Sequence, residues 1–191
     1  LGGYTASYFA QEIMTEFVFI DGVIRGDGEV PFARLLKEVS SCNPDLLAVP
    51  NLTWRRDGEL VINDIDYVAT SHDLNELNFT NFKLLKNYEL YIKHIKQHGF
   101  WLKRLSARIN KVLLGGRNVF PIAISRGCIL NCASCPQSKF SQALLSGRKH
   151  MALRSTGKVI ESIKEAQHYG YNTFYFEYLP LPYFNKLFRE I

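Results

Sequence analysis

Long apolar runs are missing from this chain. No stretch approaches the roughly 20 residues that a membrane helix needs. The opening LGGYTASYF also lacks the basic-then-apolar order of an export signal. The cytosol is therefore the expected compartment. Cysteine is scarce, with 4 residues among 191, and in a chain without an export signal that scarcity excludes a disulfide framework. Internal repeats and low-complexity tracts are absent. Histidines at metal-ligand spacing are absent too, apart from His94 and His98 at i, i+4. There the neighbouring Lys93 and Lys96 make a solvated basic helix face a better account than zinc. Acid is in the minority, leaving a net charge of +5. The basic residues gather in KHIKQHGFWLKRLSARINK (93–111), with Phe100 and Trp101 interleaved. No RNA- or DNA-binding motif accompanies them, so nucleic acid is not an expected partner. Acidic small ligands such as nucleotides suit the charge balance.

What remains is ordinary globular material, 47% hydrophobic and 21% charged. It opens on Leu1 and closes within YFNKLFREI, which reads as a piece of a longer protein. Residues 4–17 place Phe9, Ile13, Met14 and Phe17 at helical spacing. The β-branched run FVFIDGVI then ends in the glycine-rich turn RGDGE, and VPFARLLKEVS reads as a helix with Pro31 in its first turn. LTWRRDGELVIN (52–63) alternates about Asp57-Gly58, a hairpin signal. Residues 64–80 read as an irregular linker and 81–114 as helical. NVFPIAIS (118–125) is a buried-type strand. GRKHMALR (147–154) reads as a basic surface loop, Ser155 as the cap of a helix that Gly170 ends, and NTFYFEYL (172–179) as the next strand. Strand, helix, strand makes a βαβ unit and a parallel sheet, with ligands expected at the C-terminal strand ends.

At one such end lies RGCILNCASC (126–135), which spaces Cys128, Cys132 and Cys135 as C-x3-C-x2-C. A thiolate cluster on one short loop suits zinc or an iron–sulfur cluster. Structural zinc wants four closed ligands, and here Cys42 or His150 would have to be recruited from a distance. Three ligands on a four-iron cubane leave one iron open to a substrate or cosubstrate.

ISRGCILNCASC resembles the first strand and loop of the radical S-adenosylmethionine superfamily. The resemblance implies that Cys128, Cys132 and Cys135 hold a [4Fe-4S] cluster whose fourth iron binds S-adenosyl-L-methionine. Reductive cleavage of that cosubstrate would yield a 5′-deoxyadenosyl radical. An electron donor such as flavodoxin or ferredoxin is implied with it. The pattern departs from the family at Ser134, where many members carry an aromatic residue. No glycine-rich motif follows the second strand, so Glu177 is the available acid for the methionine amino group. Arg126 is expected either beside the cluster or in a loop-orienting ion pair.

The first third carries a second resemblance, to the end of the cobalamin-binding domain that precedes the radical domain in one large subgroup. Gly2, Gly3, Asp21, Gly26, Gly28, Glu29, Leu35 and Leu36 match its pattern, and NLTWRRDGELVIND matches its inter-domain hairpin. In such domains the glycine pair lies against the cofactor's nucleotide tail, which makes Gly2 and Gly3 expected cobalamin contacts. The turn RGDGE is expected to be a helix entry with no further role. The implied fold is α/β: the C-terminal part of a flavodoxin-like, Rossmann-like cobalamin-binding domain (1–50), a hairpin and helical linker (51–115), and the first βαβ of a partial TIM-type radical barrel (116–191). The implied function is a cobalamin-dependent radical enzyme acting on a small molecule, with methyl transfer the commonest chemistry and ring formation and rearrangement also found. The alternative is a non-catalytic zinc or iron–sulfur module that binds nucleic acid or protein through 93–111. A methylthiotransferase-like enzyme would need a second set of cysteine ligands, which Cys42 alone does not supply.

Overall fold

The computed structural model describes residues 1–91, 118–176 and 180–191. The chain divides into two compact units, Leu1–Thr70 with Arg126–Ala152, and Ser71–Ser125 with Leu153–Ile191.

The first unit is built on an antiparallel sheet of β1 (Gly22–Ile24), β2 (Leu52–Arg56) and β3 (Glu59–Ile62). The hairpin turns at Asp57 and Gly58 as expected, with φ of 53° and 88°, the paired positive values that match the twist of the flanking strands. Leu1 donates its amino group to the Gly22 carbonyl and accepts from the Ile24 amide, so it runs parallel to β1. The predicted helix over 4–17 is present but broken at Phe9, into α1 (Tyr4–Tyr8) and α2 (Ala10–Glu16). Ala6, Ala10 and Met14 pack on Val23, while Phe9 and Phe17 are exposed. Small side chains let the helix sit close to the sheet, and a stripe of phenylalanines would hold it away.

β1 is shorter than the apolar run that predicts it. It starts where β2 offers partners, and Val18 and Phe19 stay in solvent. Helix α3 (Glu29–Val39) carries Pro31 buried in its first turn, where a missing N–H costs nothing. The predicted linker remains irregular over 64–70 but is not loose: buried Asn51 donates to the Tyr67 carbonyl at 2.8 Å and accepts from its amide at 3.1 Å.

The second unit begins with a short helix that the linker reading missed, α4 (Ser71–Glu76), followed by a 3-10 turn over Phe82–Leu84. The remainder of the predicted 81–114 helix, from 92 onward, lies outside the described residues. β4 (Val119–Ile122) is followed by two-residue strands, β5 (Ser125–Arg126) and β6 (Ala152–Leu153), at the junctions between units. Between those, α5 (Lys139–Ser146) belongs to the first unit. Helix α6 (Thr156–His168) then leads to β7 (Thr173–Phe176), which pairs with β4 in parallel, and α7 (Leu181–Glu190) closes the chain. This is the expected βαβ. The Ser155 hydroxyl caps α6 by accepting from the Lys158 amide. Val159 and Ile163 of α6 pack with Ile122, Ile124 and Leu187. A second cluster joins Phe82, Ala166 and Tyr171.

Candidate metal centre

The loop that carries the cysteines begins with a backbone constraint. Gly127 has φ +98°, and a Cβ there would lie 3.0 Å from the Met151 Cα and 3.2 Å from the His150 carbonyl oxygen. Neither backbone atom can yield cheaply, so the Arg-Gly-Cys order has a steric cause. Beyond it, the loop closes on itself. Leu130 donates its amide to the Cys128 sulfur at 3.3 Å. The Cys135 amide bonds the Cys132 carbonyl at 3.2 Å, and the Ser138 amide bonds the Cys135 carbonyl at 3.1 Å. The first amides of α5 also turn back: Lys139 to the Leu130 carbonyl at 2.9 Å, and Phe140 to Asn131 Oδ1 at 3.1 Å. Donors that a helix start leaves free are thus satisfied by the loop itself.

All three thiols are free, with Cys128 and Cys135 half-buried and Cys132 exposed. The structure brings them onto one ordered loop. Among the described residues, however, no three cysteine, histidine or acidic side chains form a set that could hold a metal ion. The donors still fit an iron–sulfur cluster in kind: three unoxidised thiols on one short span, one already accepting an N–H at sulfur. Amide hydrogen bonds to sulfur are among the features that tune such clusters. Cys42 is an exposed free thiol on a different segment.

The ends of this loop are tied to a turn far away in sequence. Arg126 forks onto the Glu29 carboxylate and donates to Asp27 Oδ1 at 3.0 Å. Arg148 donates to Asp27 Oδ2 and to the Ala69 carbonyl at 2.8 Å, and the Ala69 amide meets the same Oδ2 at 2.9 Å. The Arg148 side chain is 4% exposed and Asp27 11%. The segment read as a basic surface loop therefore contains a buried, paired arginine. The turn read as a plain helix entry is an anion pair facing two guanidiniums. Of the two expectations for Arg126, the loop-orienting ion pair is the one observed.

Burial is the largest influence on the Glu29 carboxyl and pushes it up, but the Arg126 hydrogen bonds, a backbone hydrogen bond and the Arg126 charge together hold the group below its ordinary value. Arg126 is driven the other way, further into its charged form, chiefly by its bond to Glu29. Gly26 lets the C-terminus of α5 close onto this turn, since a Cβ there would lie 2.8 Å from the Ser146 Cβ.

Gly2 and Gly3 occupy the turn between the Leu1 strand residue and α1. Gly3 precedes the helix with φ +92°, and a Cβ on it would meet nothing within 4 Å, so its outer side is open. The Ser7 hydroxyl donates to the Gly3 carbonyl at 2.8 Å and accepts from the Gly26 amide at 2.9 Å, tying the glycine pair to the RGDGE turn. Tyr4 follows directly. Burial raises its pKa, and Asp27, Arg148, Arg126 and Cys135 all lie close enough to act on it. One neighbourhood thus holds the glycine turn, the ion pairs and the third cysteine. Glu177, the basic segment 93–111 and the pair His94 and His98 lie outside the described residues.

Two observations were missed in the sequence. Ser138 and Gly147 bracket α5 as cap and stop, with the Ser138 hydroxyl accepting from the Ser141 amide and Gly147 at φ 69°, so that helix was open to detection. The pairing of Asp27 with Arg126 and Arg148 had no local signal.

No family model matches the chain. Over 146 residues it is 27% identical to the anaerobic magnesium-protoporphyrin IX monomethyl ester cyclase of Synechocystis, covering 73% of this chain and 23% of that protein. In fold it matches the radical S-adenosylmethionine methyltransferase TsrM of Kitasatospora setae. The TM-score is 0.63 against the form with cobalamin and a [4Fe-4S] cluster bound, at 12% identity over 99% of this chain and 33% of that one. Against the form with tryptophan and a S-adenosylmethionine analogue bound it is 0.64, at 15% identity, with 99% and 32% covered. The chain thus spans about a quarter of the cyclase and about a third of the methyltransferase. Among the described residues no helix is long and apolar enough to cross a membrane. The chain thus has a mixed α/β fold similar to that of the methyltransferase TsrM.

Proposed function

We propose that this chain is part of a cobalamin-dependent radical S-adenosylmethionine enzyme, in which Cys128, Cys132 and Cys135 hold a [4Fe-4S] cluster. The observation that carries the reading is the C-x3-C-x2-C loop of free thiols after β4, closed by its own hydrogen bonds. When bound, such a cluster supplies the electron that cleaves S-adenosyl-L-methionine to the 5′-deoxyadenosyl radical. The chain's own residues do the holding. The loop presents three sulfurs, Leu130 donates to one of them, and Asp27 and Glu29 restrain the arginine beside the first.

In this reading residues 1–50 end a flavodoxin-like cobalamin-binding domain, 51–115 link it, and 116–191 open a partial TIM-type barrel. Gly2 and Gly3 contact the cobalamin tail at their open turn, and Glu177 meets the methionine amino group. The reaction is methyl transfer to a small molecule. The electron comes from a flavodoxin or ferredoxin, in the cytosol, where free thiols persist.

The test is anaerobic reconstitution with iron and sulfide, followed by iron counting and electron paramagnetic resonance with and without S-adenosylmethionine. The Cys132→Ala variant runs beside the wild type. About four irons per chain, lost in the variant, with a spectrum that shifts on adding S-adenosylmethionine, is the expected result. Stoichiometric zinc with no spectral response would sink the reading and turn attention to 93–111 as a binding surface.

A further inference from the structure

Two arginines bracket the cysteine segment. Arg126 stands just before Cys128, and Arg148 stands just after α5, the helix into which the loop runs. Both donate to one carboxylate, and they use different oxygens of it: Arg126 takes Oδ1 and Arg148 takes Oδ2. The carboxylate is itself fixed. Oδ2 accepts the Ala69 amide, the Ala69 carbonyl receives Arg148, and the neighbouring Gly26 amide is held by Ser7. Glu29 takes up the rest of the Arg126 fork. Two guanidiniums and two carboxylates balance in charge at this grip.

We propose that Asp27 is a positioning residue for the metal centre, a single staple that gathers both ends of 126–148 and so fixes the span on which the three cysteines sit. The metal role rests on reading those cysteines as cluster ligands. The staple itself rests on the ion pairs alone. Three ligands on one segment share a metal more readily when the ends of that segment are already set. Groups that orient ligands from behind typically govern metal affinity by about 10- to 100-fold. The backbone ladder β1–β3 makes no use of the Asp27 side chain, so a fault at Asp27 should stay local. Both oxygens are needed. Asn at this position puts an amide donor against a guanidinium and releases one arm, while Glu keeps both acceptors on a longer stem.

The test compares the full chain as wild type, Asp27→Asn and Asp27→Glu by hydrogen exchange of the metal-free protein and by iron retained under a chelator after reconstitution. In Asp27→Asn, amides over 128–141 should exchange about tenfold faster or more, those of β2 and β3 should not change, and iron should leave about 10- to 100-fold faster. Asp27→Glu should restore most of both. Unchanged exchange over 128–141 in Asp27→Asn would overturn the staple. Equal acceleration in β2 and β3 would overturn it too, by showing a general support in place of a local one. A loosened loop with iron retained as in wild type would overturn the positioning role. If wild type also takes up no iron while the loop still loosens, the cluster reading fails and the staple stands.

Discussion

The cysteine loop and the βαβ of the second unit are held by opposite means. In the βαβ, Val159, Ile163, Ile122 and Leu187 are packed apolar groups on adjacent elements, and Ser155 and Gly170 punctuate the helix from its own ends. Around the loop, apolar packing is thin and charge does the work. Asp27 and Glu29 reach Arg126 and Arg148 across about a hundred residues of chain. A fold element can be specified by its neighbours in sequence. A site assembled from distant segments is specified by the complementarity of a few polar groups, each of which matters more.

The comparison can be broken first at its charged side. Asp27→Ala leaves Arg148 buried and without its carboxylate, and should cost about 3–5 kcal/mol. Hydrogen exchange over 126–148, with β2 and β3 as the unchanged reference, would measure it. On the apolar side, Leu187→Ala should cost about 2–5 kcal/mol, confined to second-unit amides. Gly127→Ala forces a side chain into a left-handed backbone already pressed by Met151 and His150. About 1–3 kcal/mol of strain, with reduced iron retention, is expected from melting and iron assays. Ser155→Ala removes a cap and should cost about 1 kcal/mol.

Titration sharpens the contrast from the other direction. Glu29 is held below its ordinary value, so its contribution is present at neutral pH and is lost as pH falls through the folded value. The first unit should weaken in acid, and Glu29→Gln should flatten that limb. In the second unit, burial pushes Tyr183 from 10.0 up to about 12. The folded form then keeps its proton longer than the unfolded chain, and stability falls as pH rises between those values. Tyr183→Phe should remove that alkaline slope, read as the pH dependence of the urea midpoint.

Legibility in the sequence follows the same division. Asp57-Gly58, Pro31, Ser155 and Gly170 act within a few residues of themselves, and each appears where its chemistry predicts. The helix over 4–17 was legible, and Ile13 and Met14 pack as its spacing predicts, but Ala6 and Ala10 take the buried places read for Phe9 and Phe17. Arg148 read as solvent-exposed because nothing near it in the chain is acidic; its partner lies in a turn that by itself looks like any helix entry. The short loop that carries the three cysteines was legible from the strand before it. The carboxylate that grips both ends of their loop was not, because a buried ion pair leaves no periodicity.

The loop's internal hydrogen bonds bear on how metal would come and go. Leu130, Cys135, Ser138, Lys139 and Phe140 already direct their amides to partners inside the loop or at its edge. Uptake would therefore order little backbone, unlike small zinc domains in which binding and folding are one event. If the cluster is held as proposed, a chelator should bleach it without melting the protein around it.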